Sequence, residues 1–111
     1  MMGYLYLSLA IISEVFGSTM LKLSSMPNVS KFLSVGGVGV GYLLAFFFLQ
    51  RTLIYLPLGL SYAMWAGVGT ALTVLVGILL FKEPLNLYVI LGVIMIIGGT
   101  VVLNVGGGAH E

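Results

Sequence analysis

The sequence predicts an all-α membrane protein with four transmembrane helices. Of the 111 residues, 60% are hydrophobic and only 6% are charged, and the mean hydropathy is +1.22. A soluble domain carries about 25% charged residues, and a chain this short could not cover so much apolar surface by folding on itself. Lipid is therefore the expected solvent.

Four apolar runs are separated by short segments that hold most of the charged residues. Each run is close to the roughly 20 residues that cross a hydrocarbon core of about 30 Å. Backbone groups in lipid need partners within their own segment, and continuous apolarity excludes a barrel, whose strands alternate. We predict one transmembrane domain over residues 1–111, with helices at about 3–23, 32–50, 58–81 and 87–105.

The basic residues predict the orientation of these helices. Lys22, Lys31 and Lys82 belong to the first and third loops, whereas Arg51 lies in the second loop, on the side of both termini. Basic residues prefer the cytoplasmic side of a membrane, so this 3:1 distribution favours both termini outside. A population in both orientations stays open.

Several classes of function are excluded by composition. The chain has no cysteine, so it has neither a disulfide nor a thiolate metal site, and it has no basic run for nucleic acid. It also lacks a nucleophile–base pair, a metal-ligand cluster and a phosphate-binding loop. We therefore predict no enzyme, no catalytic residue and no metal site, and give His110 in the tail no role.

Glu14 is the one carboxylate within an apolar run. Placing an Asp at the centre of a membrane helix costs about 2.5–3.5 kcal/mol, and a comparable cost is expected for Glu. Such a residue usually faces a cavity or a partner and marks a functional site. The alternative is a protonated Glu14 that makes a structural hydrogen bond between helices.

The helical face around Glu14 is rich in small residues. Removal from water disfavours the ionised form of a carboxyl group, and an arriving cation favours it. A proton and a cation would therefore compete for Glu14, which is a minimal mechanism for proton-coupled antiport. Small neighbours leave space for a ligand or let another backbone approach. Residues three, four and seven positions away share this face: Leu7, Ala10, Ile11, Gly17, Ser18 and Leu21.

Aromatic residues are the second feature of the predicted site. Tyr62 and Trp65 are spaced i, i+3 in the third helix, Tyr42 lies in the second, and Tyr4 lies early in the first. Enrichment of aromatics at membrane interfaces explains Tyr4 but not Trp65, which lies well inside its helix. Aromatic faces attract cations, so Trp65 near Glu14 would suit a lipophilic organic cation. Ordinary packing is the alternative.

Glycines punctuate the last three helices. Gly67 and Gly69 in the third helix predict either a hinge or close helix packing. Gly92 and Gly99 share one face of the fourth helix, where small residues permit association. One protomer has difficulty enclosing a path, so we expect a dimer with two copies of Glu14 in one chamber. The glycines of the second helix predict close packing: Gly36, Gly37, Gly39 and Gly41.

Three segments together resemble the small multidrug resistance family, and the similarity extends over essentially the whole chain. They are SEVFGSTMLK at 13–22, LPLGLSYAMWAGVG at 56–69 and FKEPL at 81–85. The resemblance implies a proton-coupled exporter of lipophilic cations in a bacterial inner membrane. It implies an antiparallel dimer that works without a cofactor and is driven by the proton gradient.

The resemblance also implies roles for individual residues. Glu14 would be the shared proton and substrate site, and Tyr4 a gate or substrate contact. Gly67 and Gly69 would form a kink, and Gly92 and Gly99 the dimer contact. The lining of the substrate site would comprise Tyr4, Leu7, Ala10, Ser18, Tyr42, Tyr62 and Trp65.

Two positions favour one branch of that family. The guanidinium-exporting branch typically has glycine in place of Ala10 and tryptophan in place of Phe16, so this chain is more similar to the branch that exports quaternary ammonium compounds. A guanidinium-type exporter and a non-transporting membrane subunit are the alternatives. The resemblance leaves open a homodimer or a pair of related, non-identical subunits.

Overall fold

The computed structural model describes residues 2–108, and within this range all regular structure is helical. This confirms the predicted all-α membrane fold: each of the four long helices has the length and apolarity needed to cross a membrane. The helices are α1 (Met2–Ser24), α2 (Lys31–Thr52), α3 (Leu58–Phe81) and α4 (Leu87–Leu103).

The helix ends differ slightly from the predicted ones. α2 continues to Thr52, two residues beyond the predicted end. The α-helical winding of α4 ends at Leu103, and the wider π-helical segment Asn104–Gly108 follows. His110 lies outside the described residues.

The loops contain specific signals that start and stop the helices. The side chain of Ser30 accepts a hydrogen bond from the backbone N–H of Leu33 and caps α2. Asn86 caps α4 in the same way. α3 ends at Lys82, which adopts a left-handed conformation with φ of 56°. Its backbone N–H bonds to the carbonyl of Gly77 and satisfies one of the free carbonyls at the helix end.

α1 packs most closely against α2, and the tightest point is a crossing of two glycines. A β-carbon at Gly41 would lie 2.6 Å from the Cα of Gly17, so only glycine allows the two backbones to approach this closely. Gly37 likewise makes room for Met20. Gly36 and Gly39 meet no described residue of the protomer within 4 Å, so close packing at these two positions stays a prediction.

The remaining contacts arrange α3 and α4 on one side of this pair. α3 contacts α1 and α4, whereas α4 reaches only α3 among the other long helices. No residue of α4 is buried. The protomer therefore presents a broad apolar surface, and its buried hydrophobic residues are few: Leu7, Ala10, Ile11, Ala45, Leu49, Leu60 and Trp65.

Candidate functional site

Glu14 lies against Gly69, near the middle of both α1 and α3. A β-carbon at position 69 would lie 2.8 Å from Oε2 of Glu14 and 3.2 Å from its Cδ. Glycine at this position therefore makes room for the carboxyl group. α3 runs as one continuous helix through Gly67 and Gly69, so the hinge at these residues stays a prediction.

The carboxyl group of Glu14 lacks a partner on one oxygen. Oε2 is buried and makes no hydrogen bond within the described part of the chain. Buried polar atoms are nearly always hydrogen-bonded, and exceptions often mark functional sites. The alternative in which this oxygen makes a structural bond between helices finds no support in the protomer.

A strip of polar atoms on α3 runs past the carboxyl group. Ser61, Trp65, Gly69 and Thr73 follow one another at intervals of four residues, so they share one face of the helix. Three further buried atoms of this strip lack a hydrogen-bond partner in the described residues: Oγ of Ser61, Nε1 of Trp65 and Oγ1 of Thr73. Unpartnered polar atoms thus extend to both sides of Glu14.

Trp65 stands at the centre of an aromatic cluster. Its side chain is 8% exposed. The rings of Tyr62 and Phe46 each meet it edge-on, with centroids 5.5 Å away. Trp65 also packs with Leu7 and Ala10, which are buried core residues. The structure thereby brings together four predicted lining residues of α1 and α3.

Phe46 was not among the residues predicted from the sequence. A phenylalanine in an apolar run does not stand out, because it is expected there whether or not it has a function. The spacing of four residues between Tyr42 and Phe46 was a usable signal, since it puts both rings on one face of α2.

Ser18 and Tyr42 form a second contact between helices. Their hydroxyl oxygens are 2.8 Å apart, and either can be the donor. A β-carbon at Gly17 would lie 3.1 Å from the ring of Tyr42, so the ring packs beside the glycine crossing. Two of the predicted lining residues are thus joined one turn along α1 from Glu14.

Tyr4 forms a hydrogen bond with Asn104, which was not predicted as a site residue from the sequence. Its hydroxyl donates a hydrogen bond of 2.9 Å to Oδ1 of Asn104. This bond links the beginning of α1 to the π-helical segment after α4, on the same side of the membrane. Asn104 is a polar residue at the end of an otherwise apolar run, which was the available signal.

The glycine predicted for a hinge or close packing and those predicted for association lie in different environments. Gly67 faces α4, because a β-carbon there would lie 3.0 Å from Oγ1 of Thr100. Gly92 and Gly99 would meet no atom within 4 Å. Gly92 lines an open groove between α3 and α4, and Gly99 is exposed, so the dimer contact stays a prediction.

Comparison with known proteins places this arrangement in a family. The model of the small multidrug resistance protein family matches residues 2–96. The multidrug resistance protein EbrB of Bacillus atrophaeus is 53% identical over 104 residues, which cover 94% of this chain and 87% of the relative. Two quaternary ammonium compound-resistance proteins match over 98% of this chain and their whole length: QacH of Staphylococcus saprophyticus at 46% identity and QacC of Staphylococcus aureus at 44%. The chain therefore belongs to the small multidrug resistance family of multi-pass membrane proteins.

Proposed function

We propose that the protein exports lipophilic and quaternary-ammonium cations across a bacterial inner membrane in exchange for protons. The observation that carries this proposal is the unpartnered, buried Oε2 of Glu14 in the middle of α1. The relatives named for multidrug resistance and for quaternary ammonium compound resistance support such substrates.

Competition at Glu14 would couple the two fluxes. The ionised carboxylate attracts a cation, and protonation removes that attraction. The faces and edges of Trp65, Tyr62 and Phe46 lie within one cluster, and aromatic faces bind organic cations without requiring a precise shape. A proton arriving from one side would therefore displace a cation, and the proton gradient would drive export without a cofactor.

Transport also requires access from each side in turn. We propose a dimer, formed with a second copy or with a related subunit, in which two Glu14 residues face one chamber. Gly92 and Gly99 support an interface on α4, because neither contacts another described residue of the protomer and small residues let a second helix approach closely. The occupied dimer would then open toward the opposite side of the membrane.

Binding of tetraphenylphosphonium to detergent-solubilised protein across a pH series tests this proposal. We expect wild-type binding to weaken as pH falls, because protons neutralise the carboxylate, and we expect binding to release protons. Glu14→Gln should abolish the binding of tetraphenylphosphonium and the proton release that accompanies it. Glu83→Gln is the matched control, because it removes an exposed carboxylate in the loop after α3.

The outcomes separate the alternatives. Binding that does not depend on pH, or that survives in Glu14→Gln, would contradict the proposed exchange. Binding of guanidinium in place of tetraphenylphosphonium would move the protein to a small-cation exporter on the same scaffold. Failure of both ligands would favour a non-transporting subunit in which Glu14 has a structural role.

A further inference from the structure

Thr73 lies one helical turn from Glu14, in the direction of the third loop. Gly69 marks the level of the carboxyl group on α3, and four residues further along the helix correspond to a rise of about 6 Å. α1 and α3 run in the same direction, because one antiparallel helix stands between them in the chain. Ser18 follows Glu14 by the same four residues, so Thr73 and Ser18 lie at a similar depth.

Ser18 extends this level into a layer of hydroxyl groups. Its oxygen is 2.8 Å from the hydroxyl of Tyr42 on α2. Hydroxyl groups from three helices therefore stand between the carboxyl group and the membrane face that carries the first and third loops. Tyr42 is the titratable side chain among the three, and Glu14 lies one turn away from the layer.

The hydroxyl of Thr73 behaves differently from those of the other buried or partly buried threonines. Thr19, Thr52 and Thr100 each donate to the backbone carbonyl four residues earlier, at 2.8 Å. This local bond is the usual way to satisfy a hydroxyl group within a helix. Oγ1 of Thr73 is buried and makes no hydrogen bond within residues 2–108.

A partner from outside the protomer fold would satisfy this hydroxyl. Oγ1 is buried, so a water molecule reaches it only when the packing around α3 loosens, as access from each side in turn requires. Oε2 of Glu14 is also unpartnered one turn away. Water admitted between the two groups as the packing loosens would connect them.

We propose that Thr73 is a proton-relay residue, which connects Glu14 through bound water to the membrane face of the first and third loops. The inference rests on the proposed function. In the relay, Oγ1 accepts a proton from water on the loop side while its own proton passes through bound water to the carboxylate. One O–H bond breaks and one forms at Oγ1, so the net result is one proton moved to Glu14.

If the hydroxyl of Thr73 had a structural role, its removal would lower the stability of the folded protein. Thr73→Val keeps the shape of the side chain and removes an unpartnered polar atom, so the folded protein should be as stable as the wild type or more stable. Loss of the relay should instead slow proton movement. A slower exchange rate with unchanged stability would therefore identify a proton-relay role and not a structural role.

The experiment compares Thr73→Val, Thr73→Ser and Thr100→Val in liposomes. The serine restores the hydroxyl, and Thr100→Val makes the same chemical change where the hydroxyl bonds locally to Ile96. Positioned proton-transfer groups contribute about a hundredfold to a rate and water can replace part of this, so we expect Thr73→Val to slow proton-driven cation exchange about tenfold. Tetraphenylphosphonium affinity at alkaline pH should stay unchanged, and the other two variants should match wild type.

Four results would overturn the inference. Exchange by Thr73→Val at the wild-type rate would remove Thr73 from the proton route and leave the proposed function standing. Equal slowing in Thr73→Ser, or a loss of alkaline-pH affinity in Thr73→Val, would assign the residue to packing or substrate binding. A wild-type protein without proton-linked exchange would overturn the proposed function itself, and the relay with it.

Discussion

Gly69 and Glu14 occupy adjoining space so fully that a β-carbon at position 69 would lie 2.8 Å from Oε2 of the carboxyl group. This distance is shorter than a normal contact, so a side chain there must displace the carboxyl group or α3. Gly69, which the sequence predicts as part of a hinge, therefore also lets α3 form one wall of the Glu14 site.

Gly69→Ala should weaken cation binding. The atoms in the way belong to the far end of the flexible Glu14 side chain, so the carboxyl group can move aside at little cost in stability. We expect its changed position to lower tetraphenylphosphonium affinity about tenfold. Gly59→Ala is the control, because the same helix meets no atom within 4 Å at that position. Equal affinities for the two variants would contradict the assigned contact.

Gly41→Ala should destabilise the protomer without touching the carboxyl group. Its β-carbon would meet the Cα of Gly17 at 2.6 Å and the carbonyl of Ser13 at 3.0 Å. Both atoms belong to the backbone, so α1 and α2 must move apart at a cost of about 1–3 kcal/mol. Thermal unfolding in detergent measures the change. Gly39→Ala, which faces open space, should be neutral or stabilising because alanine favours the helix.

The contrast between these two glycines indicates where prediction from the sequence ends. Glu14 and Trp65 were predictable because a charge and a buried indole stand out in an apolar helix. Gly41 and Gly39 look alike in the sequence, and only the position of the helix crossing distinguishes them. The four helices were predictable for a simpler reason, since their length and apolarity follow from the thickness of the membrane.

Phe46 illustrates the same limit within the site. Its role depends on the rotation of α2 relative to α3, which the sequence of α2 does not encode locally. Asn104 depends in turn on the pairing of the end of α4 with the start of α1. Residues whose chemistry differs from that of the apolar run around them could be predicted from the sequence. Residues whose role depends on contacts between helices could not.

Phe46→Leu should weaken the binding of aromatic cations. The substitution removes one of the two rings that meet Trp65 edge-on, and the contact of a cation with an aromatic ring contributes about 0.5–1 kcal/mol at exposed sites and about 2 kcal/mol where water is excluded. We expect a loss of affinity of about three- to tenfold, measured by calorimetric titration. Phe47→Leu is the control, since its ring contacts Phe48 and not Trp65. Similar losses in both variants would indicate a general effect of apolar volume.

The hydrogen bond between Tyr4 and Asn104 should couple the start of α1 energetically to the segment after α4. A double-mutant cycle of Tyr4→Phe and Asn104→Ala isolates the pair from the other effects of each substitution. Hydrogen bonds between membrane helices average about 0.6 kcal/mol, so we expect a coupling energy of that order in the free energy of unfolding. Strictly additive effects would show that the bond contributes nothing to stability.

Gly99→Leu should weaken the proposed dimer. Gly99 lies on α4, where no residue is buried and no atom stands within 4 Å of its missing side chain. If α4 packs against a second subunit, a leucine would separate the helices at a cost of about 1–3 kcal/mol and reduce the dimer association constant about tenfold. Light scattering of detergent-solubilised protein over a dilution series measures this.

Gly39→Leu provides the matched control for the dimer, because Gly39 on α2 is equally open within the protomer. A dimer weakened only by Gly99→Leu would support association through α4. A dimer weakened only by Gly39→Leu would move the interface to α2 and bring the partner to the face that carries Phe32, Leu33 and Val40, three exposed apolar residues. Because α2 also supplies Phe46 and Tyr42, an interface on that helix would place the second subunit on the helix that carries part of the cation site.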